Sequence, residues 1–325
     1  MTKKNIFNIS NRVDFEKVSI DIFKFQATHN LVYSSFLSYL NVGINSVKNI
    51  YQIPFLPIQF FKSHKIISSQ KEIEQTFLSS GTTGMQQSKH YVTDIKLYEQ
   101  SFKKGFNSFY GNIEDYTILA LLPSYLERNG SSLIYMVDNL IKDSKKTESG
   151  FYLHNLKELA DKLKLLDKAN RKVLLIGVTY ALLDLIELDK FDLKNTIVME
   201  TGGMKGRRKE MIREELHQVL CNGFGVKLIH SEYGMTELLS QAYSKGNGIF
   251  ECPPWMKILI RDTEDPFTFL PNEKSGGINV IDLANVNSCS FIATQDLGKT
   301  YQNNTFEVLG RFDNSDIRGC NLMVF

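Results

Sequence analysis

Apolar residues recur along this chain in two rhythms, one of about 3.6 residues typical of helices and one of continuous or alternating runs typical of strands. From Val13 to Leu40 the apolar and aromatic positions, among them Phe15, Val18, Ile22 and Phe25, fall at mixed helical spacing and predict one or two opening helices. Pro54 and Pro57 end that pattern, because a proline inside a helix loses a hydrogen bond and clashes with the preceding turn. Thr76 to Leu78 predicts a short strand feeding the loop Ser79-Ser80-Gly81-Thr82-Thr83-Gly84. Apolar runs at Tyr116 to Leu122, Lys172 to Ile176 and Thr196 to Met199 match parallel strands buried on both faces. Helical spacing returns between them. In Asn155 to Lys168, positions 156, 159, 160, 163 and 166 mark one face, and Asn155 with Glu158 resembles a capping box. Arg207 to Leu220 predicts another helix, with Met211, Ile212, Leu216, Val219 and Leu220 facing inward. Strand alternating with helix predicts an α/β fold with a mainly parallel sheet. After Trp255 the pattern turns to β-type runs, Met256 to Ile260 and Ile278 to Leu283, broken by glycine, proline and asparagine, so a β-rich part is expected to follow.

Composition narrows the class without naming it. The 325 residues are 42% hydrophobic and 23% charged, with a formal charge of +2, which is the profile of an ordinary globular chain with no electrostatic lure for nucleic acid. No apolar run approaches the roughly 20 residues that cross a bilayer, and Met1 to Ser10 lacks the apolar stretch of a secretion signal. A cytoplasmic protein without a transmembrane segment is expected. Cys221, Cys252, Cys289 and Cys320 form no CxxC pair and the six histidines no HExxH, so no protein-held transition metal is expected. Any metal should arrive with a nucleotide.

Four segments can carry chemistry. The two glycines of Ser79 to Gly84 let backbone N–H groups turn toward one anion, while Ser79, Ser80, Thr82 and Thr83 add hydroxyls and Lys89 adds charge. Such a loop can hold a triphosphate, although a polar surface turn has the same composition, and the Walker A pattern is absent. His230-Ser-Glu-Tyr-Gly-Met-Thr-Glu237 closes a strand: Tyr233 can lie against a base, Thr236 can meet phosphate, and Glu237 can hold Mg²⁺, which prefers oxygen ligands. Plain surface residues after a strand would look alike. Thr294-Gln-Asp296 offers a carboxylate for ribose hydroxyls, and Arg311 can pair with phosphate or fix the ribose side.

Taken in order, these segments resemble the nucleotide motifs of the adenylate-forming superfamily, which includes acyl-CoA synthetases, peptide-synthetase adenylation domains and firefly luciferases. The resemblance covers the chain from about Thr76 to the end. It implies that Ser79, Ser80, Gly81, Thr82, Thr83 and Gly84 hold ATP phosphates, that Tyr233 and Gly234 meet adenine, that Thr236 contacts phosphate, that Glu237 binds Mg²⁺, and that Asp296 binds ribose. The superfamily's TGD reads Thr294-Gln295-Asp296 here.

Glu200-Thr-Gly-Gly-Met-Lys-Gly-Arg-Arg208, at a strand end opening a helix, resembles the GG-x-KG segment of the LuxE family of acyl-protein synthetases, itself close to phenylacetate-CoA ligases. Gly202, Gly203 and Lys205 belong to it, although an ordinary strand-to-helix turn has the same look. Most superfamily members carry a mobile C-terminal domain with a catalytic lysine. The chain stops soon after Gly310-Arg311, so that domain is expected to be lacking; Lys205, Arg207 and Arg208 are candidates to replace its cation. Cys320 in the tail resembles the family's acyl-accepting cysteine, with a buried inert thiol as the alternative.

The expectation is therefore a single catalytic unit over 1–325: a helical lead-in at 1–60, an α/β nucleotide-binding part at 61–250, and a β-rich part with the acceptor tail at 251–325. Its activity would be ATP- and Mg²⁺-dependent activation of a fatty or related carboxylic acid, followed by acyl transfer to Cys320 or to a partner protein such as a reductase. A compact CoA ligase and a noncatalytic nucleotide-binding scaffold are the alternatives.

Overall fold

The computed structural model describes residues 3–80, 86–123, 130–202 and 211–312. Gly81 to Gly84, Gly203, Lys205, Arg207, Arg208 and Cys320 lie outside the described residues. The chain opens with α1 (Arg12–His29) and α2 (Leu31–Tyr39), where Asn11 and Asn30 accept hydrogen bonds from Asp14 N and Tyr33 N as side-chain caps. Next come β1 (Leu56–Pro57), α3 (Phe60–Ser63), β2 (Gln75–Leu78), β3 (Lys89–Val92) and α4 (Ile95–Tyr110). The α/β run follows as β4 (Thr117–Leu121), α5 (Ser132–Ser144), β5 (Gly150–Phe151), α6 (Leu156–Lys168), β6 (Val173–Gly177), α7 (Thr179–Leu188), β7 (Thr196–Glu200), α8 (Arg213–Phe224) and β8 (His230–Tyr233). Six strands complete the chain: β9 (Ala242–Ser244), β10 (Ile249–Glu251), β11 (Met256–Arg261), β12 (Gly276–Asp282), β13 (Phe291–Thr300) and β14 (Phe306–Arg311).

One mixed sheet of twelve strands runs β11-β12-β13-β14-β10-β9-β8-β7-β6-β4-β5, with β1 beside β13. The α/β architecture is as expected. From β5 to β8 every pairing is parallel, and β4 and β6 are buried at every position, which explains their unbroken apolar runs. From β8 onward the pairs of this path are antiparallel, so the β-rich part continues the same sheet. Strands β2 and β3 stand apart as a two-stranded antiparallel pair. Among the described residues, no helix is long and apolar enough to cross a membrane.

Two local expectations are corrected. Helix α8 starts at Arg213 rather than 207 and buries Leu216, His217, Leu220 and Phe224, while Ile212 and Val219 are exposed. Leu216 and Leu220 face inward as expected, whereas Ile212 precedes the helix and Val219 falls on its outer face. Gly225 ends the helix at φ 67°, where an added Cβ would lie 2.6 Å from Asp192 Cα. Asn155 does precede α6, but its side-chain nitrogen donates to Glu158 Oε2 at 3.3 Å and makes no cap to the backbone.

Candidate active site

At the end of β8, the Tyr233 ring packs 5.9 Å from Phe250 and 5.6 Å from Phe306, between centroids. Its hydroxyl donates to Asp296 Oδ2 at 2.9 Å. Register in the β13–β14 pair sets Arg311 opposite Asp296, and Arg311 Nε lies 3.2 Å from Oδ1. Burial raises the Asp296 carboxyl above its ordinary range, with Tyr233, Arg311 and Arg261 pulling it back. Burial, then the neighbouring carboxylate, pushes the Tyr233 phenol well above 10, so it remains a donor. Arg261 donates to Ile278 O, Asn279 Oδ1 and Thr294 O at 2.8, 2.8 and 2.6 Å, securing the strand that bears Asp296. Gln295 is not among the residues with positive φ, so no glycine is needed in the TQD segment.

The hairpin forms the other flank. Ser79 N donates to Ser88 O at 3.1 Å, Ser88 N to Ser79 Oγ at 2.9 Å, and Gln87 Nε2 to Ser79 O at 2.8 Å. Ser79 thus ties the end of β2 to the residues that lead into β3, while Ser80 is exposed. Alternation along β3 leaves Lys89 exposed and turns His90 inward.

The flanks meet at Thr236 and Glu237. The Glu237 carboxyl is only 6% exposed; burial raises its pKa, and a hydrogen bond with Ser88 and the charges of Arg311 and Lys62 oppose that rise. His90 Nδ1 lies 2.8 Å from Thr236 O, His90 Nε2 3.0 Å from Asn285 Oδ1, and Asn285 Nδ2 donates to Glu237 O at 2.7 Å. Both ring partners are acceptors, and burial pulls the imidazole down to about 4, so the neutral ring donates to one of them at a time. Asp282 accepts from Leu239 N, Ser240 N and Ser240 Oγ at 2.7, 3.0 and 2.6 Å and holds the residues that follow. A Cβ at Gly234 would lie 2.4 Å from Glu232 Oε1, so a larger residue there would displace the end of the Glu232 side chain.

Arg311 is electrostatically coupled to both the Glu237 and the Asp296 carboxyls, which ties the hairpin flank to the sheet flank. Among the described residues no group of three or more histidine, cysteine, aspartate or glutamate side chains could hold a metal ion. A lone buried carboxylate fits Mg²⁺ that brings phosphate oxygens as its other ligands.

No family model matches the chain, and no curated protein matches it. Solved structures match in fold. A 2-hydroxyisobutyryl-CoA ligase in the postadenylation state with 2-HIB-AMP gives a TM-score of 0.66 at 10% identity, covering 93% of this chain and 68% of that one. The same ligase with 2-HIB-AMP and CoA in the thioesterification state gives 0.66 at 11% identity, covering 94% and 70%. ATP-bound MatB from Rhodopseudomonas palustris gives 0.55 at 15% identity. This chain has the adenylate-forming fold. It spans about half the length of MatB, the match covering 75% of this chain and 49% of that one.

Within that fold a third group borders Tyr233. Gly202, at φ 74°, donates its N–H to Glu200 Oε2 at 2.6 Å. Burial works to raise the Glu200 carboxyl, but His217, Arg213, Ser231 and Gly202 together bring it below its ordinary range. Glu232 goes the other way: burial and the nearby Glu200 push it up to about 8. Sequence reasoning missed His90, Asn285, Asp282 and Glu232. Asn285 and Asp282 come from a turn some 45 residues downstream in a β-type stretch, and no local pattern marks them.

Proposed function

We propose that this chain uses ATP to activate a carboxylic acid as its acyl-adenylate and then passes the acyl group to a thiol, as an acyl-protein synthetase. One observation supports this most: Glu237 hydrogen-bonds Ser88 of the hairpin and is coupled electrostatically to Arg311, which in turn pairs with the Asp296 that Tyr233 bonds, in a fold that ATP-bound and acyl-AMP-bound proteins also adopt.

In this proposal the acid's carboxylate oxygen attacks the α-phosphorus of ATP, forming the mixed anhydride as the bond to pyrophosphate breaks. A thiolate then attacks the acyl carbonyl and AMP leaves. Ser79, Ser80, Gly81 to Gly84, Lys89 and Thr236 hold phosphates, with Gly202 and Gly203 backing the acyl-phosphate end. Tyr233 and Gly234 bound the base, and Asp296 with Arg311 takes the ribose side. Glu237 would hold Mg²⁺, which neutralises charge on the phosphates when bound. Lys205 supplies a cation near the reacting phosphorus, and Cys320 is the acceptor, donating its acyl group onward to a partner such as a reductase. The acid is taken to be fatty or related.

Delivery to CoA is the second reading, favoured by the CoA-bound ligase of the same fold. The first test is carboxylate-dependent ATP–pyrophosphate exchange over a panel of acids; no exchange with any acid leaves only a noncatalytic scaffold. Incubation with an active acid and ATP, then intact mass measurement, separates acceptors. A hydroxylamine-labile adduct lost in Cys320→Ser supports the cysteine route; acyl-CoA formation without adduct supports the ligase.

A further inference from the structure

Behind Gly234 the side chains of Glu232 and Gln241 converge. A Cβ at Gly234 would lie 2.4 Å from Glu232 Oε1 and 3.4 Å from Gln241 Cγ. Glu232 thus folds forward along its strand toward the segment that leads from Tyr233 to Thr236, the residues assigned above to base and phosphate. Gly234, Met235 and Thr236 are each part-exposed, so a ligand can reach that segment. Glu232 also keeps part of its surface open, yet its carboxyl is walled in, with Tyr243 across the strand pair and the phenols of Tyr98 and Tyr110 near enough to couple to it electrostatically. Among the described residues, burial and the charge of Glu200 act on this carboxyl and no hydrogen bond does, so at neutral pH it holds a proton that it can donate. Gln241 is 5% exposed. Its amide bonds the Tyr98 hydroxyl, which itself donates to Ser132 O at 3.0 Å, and its Oε1 is left buried with no partner among the described residues. A buried acceptor without a partner is costly to keep, and a ligand that donates to it removes the cost. One donor and one acceptor at the same place match a hydroxyl, which accepts from the first and donates to the second. An ammonium group has three donors and nothing to accept the Glu232 proton.

Resting on the acyl-adenylate reading, we propose that the activated acid carries a hydroxyl group, that Glu232 and Gln241 bind this group together, and that they determine which acid is accepted. An unsubstituted chain in the same place would leave both side chains desolvated and unpaired, the penalty by which such a site discriminates. Strand alternation sets Glu232 on the face opposite Tyr233, so the acid and the base are read from different sides of β8.

The test is ATP–pyrophosphate exchange by the full chain with matched acids that differ by one hydroxyl, aliphatic at the α, β or terminal carbon and aromatic on the ring, each beside its amino counterpart. Wild type, Glu232→Gln, Glu232→Met and Gln241→Met are compared, with melting curves to check folding. In wild type one hydroxy acid should exceed its unsubstituted counterpart in kcat/KM by about 100-fold or more, as expected of a site whose polar groups otherwise go unpaired. Methionine approximates the length of either side chain without its hydrogen bonds, so both Met variants should lower that ratio by about ten-fold or more. Glu232→Gln keeps a neutral donor and should retain most of the preference. Should Glu232→Met fail to melt cooperatively, Gln241→Met carries the same comparison. A preference that the Met variants leave unmoved, loss of the preference in Glu232→Gln, or a preference for an amino-substituted acid overturns the proposal. Exchange with no acid overturns the activation reading and the hydroxyl assignment with it; exchange that treats plain and hydroxy acids alike keeps the activation reading and overturns the hydroxyl assignment alone.

Discussion

On the sheet flank, Asp296 has a tyrosine hydroxyl on one oxygen, an arginine on the other, and the half-buried Arg261 charge nearby. On the hairpin flank, Glu237 is equally buried, yet among the described residues its carboxyl is met by Ser88 and by its own backbone, and its cations act at longer range. Burying a carboxylate is costly unless it is paired, so the two acids pose different demands. Asp296 meets its demand within the sheet. Under the proposed function Glu237 would meet it with a cation brought by a ligand, which would divide a preorganised sugar end from a phosphate end completed on binding.

Glu237→Gln is the strongest way to break that contrast, because it keeps the shape and removes the charge. Carboxylate-dependent exchange should fall about 100-fold or more, roughly 3 kcal/mol of lost stabilisation, while AMP affinity stays within about two-fold. Equal loss of AMP binding would show that Glu237 serves the whole cleft. Asp296→Ala should come next, weakening AMP and Mg-ATP alike by about ten- to hundred-fold, since hydrogen bonds to a charged acceptor are worth about 1.5–3 kcal/mol. A selective loss of Mg-ATP would reverse the roles of the flanks. Arg311→Ala should cost less: its side chain is 73% exposed, where solvent screening limits a pair to about 1 kcal/mol or less. A two- to five-fold drop for both nucleotides, measured by the same titration, is expected because Arg311 faces both acids.

The same contrast explains what could be read from the sequence. Strands β4, β6 and β7 were legible because burial on both faces writes an unbroken apolar run, and α6 because one face repeats at Leu159, Ala160, Leu163 and Leu166. Tyr233 and Asp296 stand in two separate motifs of the sequence, and a hydrogen bond between them joins the end of β8 to the middle of β13. The start of α8 was not legible, since Met211 and Ile212 share its apolar spacing while Ile212 is 69% exposed. The contacts that hold the Thr236 to Ser240 segment were not legible either. His90, Asp282 and Asn285 act through backbone groups of residues far along the chain, and such partnerships leave no periodicity. The single sheet that joins the parallel and antiparallel parts depends on the β8–β9 pairing, which two short segments cannot announce.

The smallest predicted effect sharpens the boundary next to Tyr233. Strand alternation turns Glu232 to the face opposite Tyr233, where its cross-strand partner is Tyr243 and its carboxyl is pushed up to about 8 by burial and then by Glu200. From an ordinary value of 4.5, the folded chain holds this proton through a window in which the unfolded chain has released it. Stability from Glu232 is therefore full below about 4.5 and falls as pH rises toward 8. Glu232→Gln keeps a neutral side chain of the same shape at every pH, so its melting temperature should match wild type near pH 5 and exceed it by a few degrees near pH 9. Differential scanning at the two pH values checks this. Because Tyr233 and Asp296 face away from the substitution, AMP affinity should not follow the stability change. Parallel movement of both would mean that the two faces of β8 act as one site, and that the sheet flank is less self-contained than its hydrogen bonds imply.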